Sequence, residues 1–155
     1  MGRRERAERV IPKDKAIFWL DGRGFWHTAK GRFENQRIIR HFHSCIRRDE
    51  KGYYLQQDHP DHREKVYFRY EDTALFVVHI LKQDDLVLVL NTGKKVKLKP
   101  KRLFVNDENL YMMLGDERVK FTEEALLRIT DYMEDEEGGF FISVKGRRYR
   151  IPATY

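Results

Sequence analysis

The sequence predicts an α+β fold, and three observations predict it. Short runs of alternating apolar and polar residues recur along the chain, bounded by Gly, Asn and Asp. Only residues 35–48 and 122–133 repeat apolar side chains at three- and four-residue spacing instead. The strand–turn–strand–helix–strand order then occurs twice. Phe18-Trp19-Leu20-Asp21, Gly24-Phe25-Trp26, Ile38-Ile39-Arg40-His41-Phe42 and Gly52-Tyr53-Tyr54-Leu55 are matched in type by Leu103-Phe104-Val105-Asn106, Asn109-Leu110-Tyr111, Ala125-Leu126-Leu127-Arg128-Ile129 and Gly139-Phe140-Phe141-Ile142. The offset is 85 between Asp21 and Asn106 and 87 between Gly52 and Gly139, with the extra residues near 116–120. Self-similarity at a near-constant offset implies two similar lobes, each a hairpin–helix–strand unit, and a seam between them. Seams between lobes favour ligand pockets.

The elements follow in order. Residues 1–12 are basic, aperiodic and end in Pro12, which reads as a flexible tail. Residues 15–20 form a strand, Asp21-Gly22-Arg23-Gly24 turns the chain, and residues 25–28 return as a second strand. Asn35 suits a helix N-cap because its side-chain oxygen can take a free backbone amide. Ile38, Ile39, Phe42, Cys45 and Ile46 make the apolar helix face, with Arg40, His43, Arg47 and Arg48 mostly opposite. Gly52 closes the helix and a strand begins at Tyr53. Residues 58–62 are a loop, and Val66, Phe68 and Tyr70 alternate in a strand. Residues 74–81 and 86–90 are nearly continuous apolar runs, hence central strands. Lys95-Val96-Lys97-Leu98-Lys99 alternates with its lysines toward water, where they guard a sheet edge. In the second unit, residues 103–105 and 110–114 make a hairpin. Thr122 caps a helix whose first-turn acids suit its dipole. Gly138-Gly139 ends that helix, and a last hairpin turns at Lys145-Gly146. The expected total is about nine short, mostly antiparallel strands and two helices. The strands do not alternate with helices, which argues against a doubly wound parallel sheet. The domain expectation is a basic tail over residues 1–12, a first lobe over 13–93 and a second over 94–155.

Composition narrows the function classes. The 155 residues are 41% hydrophobic and 36% charged, which suits a globular chain with a polar surface. No apolar run is long enough to span a bilayer, the first residues lack the apolar core of a signal peptide, and Cys45 is the only cysteine. The expectation is a cytoplasmic protein with no membrane partner. Net charge is +6, unevenly spread: residues 1–52 carry net +7 and residues 107–137 net −8. Either the oppositely charged lobes pair, or the basic one attracts an anion.

The first unit and its sequel resemble a bacterial family, domain of unknown function 1285. The matching residues are Phe18-Trp19-Leu20, the helix from Arg37 to Arg48, Asp49-Glu50-Lys51-Gly52-Tyr53-Tyr54-Leu55, Glu64-Lys65-Val66 and Tyr70-Glu71-Asp72-Thr73-Ala74-Leu75-Phe76-Val77. The likeness is strongest over residues 16–90, and Glu71-Asp72 before the apolar strand is its most specific element. The resemblance implies a duplicated α/β motif and a second lobe similar to pleckstrin-homology-like folds. It also implies a binding site at the interface between lobes for a nucleic-acid-like ligand, and a link to bacterial signal transduction.

Specific chemistry is sparse. His41 and Cys45 are four apart and share a helix face, while His43 does not join them, and His59 and His62 flank Pro60. Without CxxC or HExxH spacing these histidines predict no metal site and no cofactor. No Gly-x-Ser-x-Gly or Gly-Lys-Ser/Thr motif occurs, so neither a nucleophile elbow nor a P-loop is expected. Basic residues interleaved with aromatics remain: Trp26, His27, Arg40, His43, Arg47, Tyr67 and Arg69 are candidates for stacking and phosphate contacts. Trp19, Phe25, Phe68 and Phe140 are assigned to the core.

The leading expectation is a non-catalytic binding module. Arg40, His43, Arg69, Glu71 and Asp72 would line a groove between the lobes for an anionic or nucleotide-like ligand, or a partner protein. Arg40 and His43 are three apart on a helix, and Arg69 and Glu71 alternate about Tyr70. The alternatives are a nucleic-acid-binding protein using the basic strip at residues 94–102 and an enzyme of unrecognised type. A nucleic-acid-binding protein would show a steep salt dependence.

Overall fold

The computed structural model describes residues 7–153, which contain seventeen strands and two α-helices. The chain is α+β, as its periodicities predicted, and divides into one unit ending at Ala74 and another beginning at Leu75. No helix among the described residues is long and apolar enough to cross a membrane.

The first unit runs β1 (Ala7–Ile11), β2 (Phe18–Leu20), β3 (Trp26–Thr28), β4 (Gly31–Arg32), α1 (Gln36–Ser44), β5 (Ile46–Asp49), β6 (Gly52–Asp58), β7 (His62–Tyr67) and β8 (Arg69–Tyr70). It holds two four-stranded sheets, ordered β1-β7-β6-β5 and β4-β3-β2-β8. Part of the segment expected to be a flexible tail is therefore structured. Residues 7–11 pair in parallel with β7, Val10 opposite Lys65 and Ile11 opposite Val66. This strand is exposed and has no apolar periodicity; its backbone ladder and a Glu8–Lys65 ion pair at 3.9 Å join it to β7, and neither leaves a periodic trace in sequence. Residues 1–6 lie outside the described residues.

Asn35 caps α1 as expected, its Oδ1 accepting the amides of Arg37 at 3.0 Å and Ile38 at 3.1 Å. The helix is shorter than its apolar pattern suggested. Arg47 and Arg48, expected on its polar face, lie in β5 opposite Tyr54 and Tyr53. The tight β5–β6 hairpin explains this. Gly52 adopts φ 121°, a conformation that favours glycine, and the chain must already be extended when it enters such a turn. Tyr67 braces the same hairpin from β7, its hydroxyl donating to Asp49 Oδ2 at 2.5 Å.

An aromatic cluster forms the core between α1 and β2–β3. Trp26 is 1% exposed and meets Phe42 at 5.4 Å, Phe18 at 5.8 Å and Phe68 at 5.0 Å, all edge-to-face. Such geometry sets the positive edge of one ring against the negative face of the next. Phe42 of α1 adds edge contacts to Phe18 and Phe33, each at 5.0 Å.

The second unit runs β9 (Leu75–Lys82), β10 (Leu86–Leu90), β11 (Lys95–Lys97), β12 (Leu103–Asn106), β13 (Asn109–Leu114), β14 (Glu117–Phe121), α2 (Glu123–Ile129), β15 (Met133–Glu136), β16 (Gly139–Val144) and β17 (Arg147–Ile151). Its sheets are ordered β11-β10-β9-β14-β13-β12 and β15-β16-β17. The unit boundary precedes the expected one near residue 93 because β9 pairs in parallel with β14, Leu75 opposite Val119 and Val77 opposite Phe121. The stretch read as an insertion supplies that central strand. Its Val119 and Phe121 alternate inward at 0% and 3% exposure. Thr122 caps α2 by accepting the Ala125 amide, and Ala125 and Ile129 are buried. Met133, expected on the helix, instead opens β15 opposite Ile142.

From β2 to β7 the first unit reads three strands, a helix and three strands, with β2-β3-β4 and β5-β6-β7 each pairing as antiparallel neighbours. From β12 onward the second reads the same, with β12-β13-β14 and β15-β16-β17.

Adjacent residues test the core assignment. Trp26→Ala should cost about 3–5 kcal/mol in denaturant unfolding, the range for emptying a buried aromatic site. Phe25→Ala, 36% exposed in the native chain, should cost no more than about 1 kcal/mol.

Candidate functional site

The β4-β3-β2-β8 sheet has one face in the core and one turned outward. Leu20 and Trp26 are cross-strand partners at 0% and 1% exposure, so they mark the inner face. Side chains alternate along a strand. Trp19 and His27, each one position away and partnered with one another, therefore stand on the outer face. Their rings stack at 5.4 Å between centroids with 9° between planes. The register continues the row in both directions: His27 faces Arg32 on β4, and Trp19 faces Arg69 on β8. One line across four strands thus reads Arg32–His27–Trp19–Arg69, a stacked aromatic pair between two exposed arginines.

The β2–β3 turn completes this face. Asp21 Oδ1 accepts the amides of Arg23 at 2.8 Å and Phe25 at 2.9 Å, and Asp21 Oδ2 lies 2.6 Å from His27 Nε2. Burial opposes ionisation of Asp21, but the His27 hydrogen bond and the two amides outweigh it and hold the carboxyl below its ordinary value. Glu71 reaches the same turn, its Oε2 accepting the Gly22 amide at 2.8 Å. The Arg32 guanidinium sits 4.5 Å from the centre of the Phe25 ring, and that of Arg23 5.5 Å. Both carboxylates are committed to backbone amides, so they fix the turn that carries the imidazole.

This arrangement brings together some of the residues expected at a site and separates others. Arg69 and Glu71 share the outer face, as their alternation implied. Asp72, the next residue, is half-buried. Arg40 is exposed on α1. His43 lies on the inner side, where its Nδ1 accepts the Trp26 indole N–H at 3.1 Å. The sheet thus separates Arg40 and His43 from Arg69 and Glu71, because α1 covers the inner face. The helical spacing puts His43 on a polar face, but a buried indole needs an acceptor and the imidazole provides it. Burial pushes the His43 imidazole down to about 4, so it stays neutral near pH 7.

Sequence reasoning missed Trp19, Arg32 and Asp21 at this site. Trp19 was assigned to the core, yet it is half-buried on the outer face; Phe25 at 36% and Phe140 at 40% exposure likewise leave the core. The signal was present in the alternation: Leu20 and Trp26 inward require Trp19 and His27 outward. Of the other stacking candidates, Trp26 and Tyr67 are buried and Arg47 is exposed on β5. His41 Nε2 lies 3.7 Å from Cys45 Sγ, which is buried as expected for a small apolar side chain.

No protein-family model matches the sequence, and no curated protein is significantly similar to it. Solved structures do match. A DUF1285 family protein from Silicibacter pomeroyi DSS-3 superposes with a TM-score of 0.61 at 17% identity, covering 94% of this chain and 84% of that one. A second, from Shewanella baltica OS155, gives a TM-score of 0.52 at 17% identity over 74% of this chain and 91% of that one. The chain has the fold of DUF1285 family proteins. In this chain the residues that carry the sequence resemblance, Phe18-Trp19-Leu20 and Glu71-Asp72, supply β2 and the Glu71 support of its turn.

The neutral His43 makes a pH prediction. Its folded-state value lies below the ordinary 6.5, so the unfolded chain takes up the proton first as pH falls. The stability it contributes is fully present above about pH 6.5 and is lost progressively toward about pH 4, with a slope of at most about 1.4 kcal/mol per pH unit. His43→Gln, whose amide oxygen still accepts the indole N–H, should remove this component. Urea unfolding at pH 7 and 4.5 checks it, and equal losses in both proteins would contradict the assignment.

Proposed function

We propose that the chain is a non-catalytic binding module for an anionic, nucleotide-like small molecule, held on the outer face of the β4-β3-β2-β8 sheet. The observation that supports this reading is the row Arg32–His27–Trp19–Arg69. A flat aromatic surface accepts a stacked base, a contact that contributes about 1–3 kcal/mol. Guanidinium groups match phosphate oxygens with two parallel donors, which a lysine ammonium cannot do. Asp21 and Glu71 hold the turn rigid, so little ordering cost remains for the ligand to offset.

A nucleic-acid reading based on residues 94–102 has less support. Lys97 Nζ is 2.9 Å from Asp85 Oδ2, and Arg102 donates to the Gly115 carbonyl at 2.9 Å. Those cations are already engaged within the second unit.

We also read the two strand–helix series as copies of one ancestral unit. The β5–β6 and β15–β16 hairpins support this. Asp49 pairs with Gly52 and Glu136 with Gly139, at an offset of 87 residues, and both glycines have positive φ.

Titration calorimetry with a nucleoside triphosphate, the matching nucleoside and inorganic phosphate tests the binding proposal. The triphosphate should bind more tightly than either fragment. Arg32→Ala and Arg69→Ala should each weaken it about tenfold, since a hydrogen bond to a charged group contributes about 1.5 kcal/mol or more. Melting temperatures should hardly move, because both arginines are exposed. Unchanged affinity in both variants would refute the proposal.

A further inference from the structure

The β6–β7 hairpin, on the other sheet of the first unit, carries chemistry that the binding reading does not use. Its loop is Asp58-His59-Pro60-Asp61-His62. The His59 amide donates to the His62 carbonyl at 2.8 Å, so the two histidines face each other across the Pro60-Asp61 turn. Their rings stack at 4.4 Å with 16° between planes. Glu64 follows His62 by two residues and therefore stands on the same strand face. One ligand atom from each of His59, His62 and Glu64 lies within 4.8 Å of the other two, and all three residues are half-buried.

We infer that His59, His62 and Glu64 form a binding site for a first-row divalent metal ion of the zinc class. Three features beyond proximity favour it. Asp61 Oδ1 lies 2.8 Å from His62 Nδ1, which fixes that nitrogen as the N–H donor and leaves Nε2 with its lone pair free. A carboxylate behind a ligating imidazole in this way orients the ring and raises its basicity. Nε2 in turn faces Glu64 Oε2 at 4.0 Å, far enough for an ion between them. The donor set, two imidazoles and one carboxylate, is one that zinc accepts, with a fourth position open to water. Tetrahedral bonds of about 2.0–2.1 Å place ligand atoms about 3.3 Å apart. The ion would therefore draw these atoms together by at most about 1.5 Å, within reach of side-chain rotation at a hairpin tip.

Charge around the site selects the class of ion. Arg9 of β1 is the register partner of Glu64, so a cation here has a guanidinium for a neighbour. A hard ion such as magnesium or calcium, which relies on several oxygen ligands, is poorly served. Zinc and its neighbours gain their affinity from imidazole nitrogen and tolerate that setting better.

Equilibrium dialysis of the tag-free 155-residue chain against zinc, with metal analysis of the protein, tests the inference. One equivalent should be retained. It should be lost in His59→Gln and in Glu64→Gln, with far-ultraviolet circular dichroism unchanged. Asp61→Asn, which removes only the support behind His62, should weaken binding about 10- to 100-fold. His41→Gln, beside Cys45, should bind as the parent does. Failure of the parent to retain zinc, retention by both His59→Gln and Glu64→Gln, or loss in His41→Gln would overturn the assignment.

Discussion

The indole N–H of Trp26 must find an acceptor once its ring is buried, and His43 Nδ1 at 3.1 Å is the one it finds. Much of the first unit is organised by that requirement. A buried donor without a partner would cost about 1–3 kcal/mol. The hydrogen bond ties β3 to α1 at a fixed point along both. The rings of Phe18, Phe42 and Phe68 then close around the indole from three directions. With Trp26 locked inward, strand alternation leaves its neighbour His27 no choice of side. A slip of one residue would exchange the two faces and drive an imidazole into the aromatic cluster. The core thus determines what the opposite surface displays.

What it displays is arranged with little slack. Asp21 binds two amides of its own turn and the His27 ring, and Glu71 binds a third amide from β8's extension. Four short strands are a small platform, two of them being β4 and β8 at two residues each. Side-chain-to-backbone bonds supply the rigidity that longer ladders would give. The Trp19–His27 stack is consequently held from below by the core and from the side by the turn. Preorganisation of this kind is what a small ligand site requires.

The sequence made the fold class legible because periodicity reports burial, and burial survives without knowledge of pairing. The caps at Asn35 and Thr122 were legible for a related reason: each acts on amides two or three residues away. Long-range pairing was not. The strand at residues 7–11 and the β9–β14 pairing join partners 55 and 44 positions apart, and no local periodicity encodes which strand meets which. The make-up of the outer face was half legible. Arg69 and Glu71 followed from alternation. Trp19 did not, because an aromatic in a strand is ordinarily core, and only the position of its partner Trp26 shows which of the two is buried. His43 misled for the converse reason, since a histidine on a helix reads as polar surface until the buried indole it serves is known.

One strand pair sends Trp26 to the core and Trp19 to the outer face on which we propose the ligand binds, and tryptophan emission reports both. Acrylamide quenching of the parent and of Trp19→Phe, with and without a nucleoside triphosphate, is the direct measurement. The account predicts that the parent has one accessible emitter that the nucleotide protects. In Trp19→Phe the remaining emission should be blue-shifted, resistant to acrylamide and indifferent to nucleotide. Quenching or a nucleotide response that survives the loss of Trp19 would contradict it.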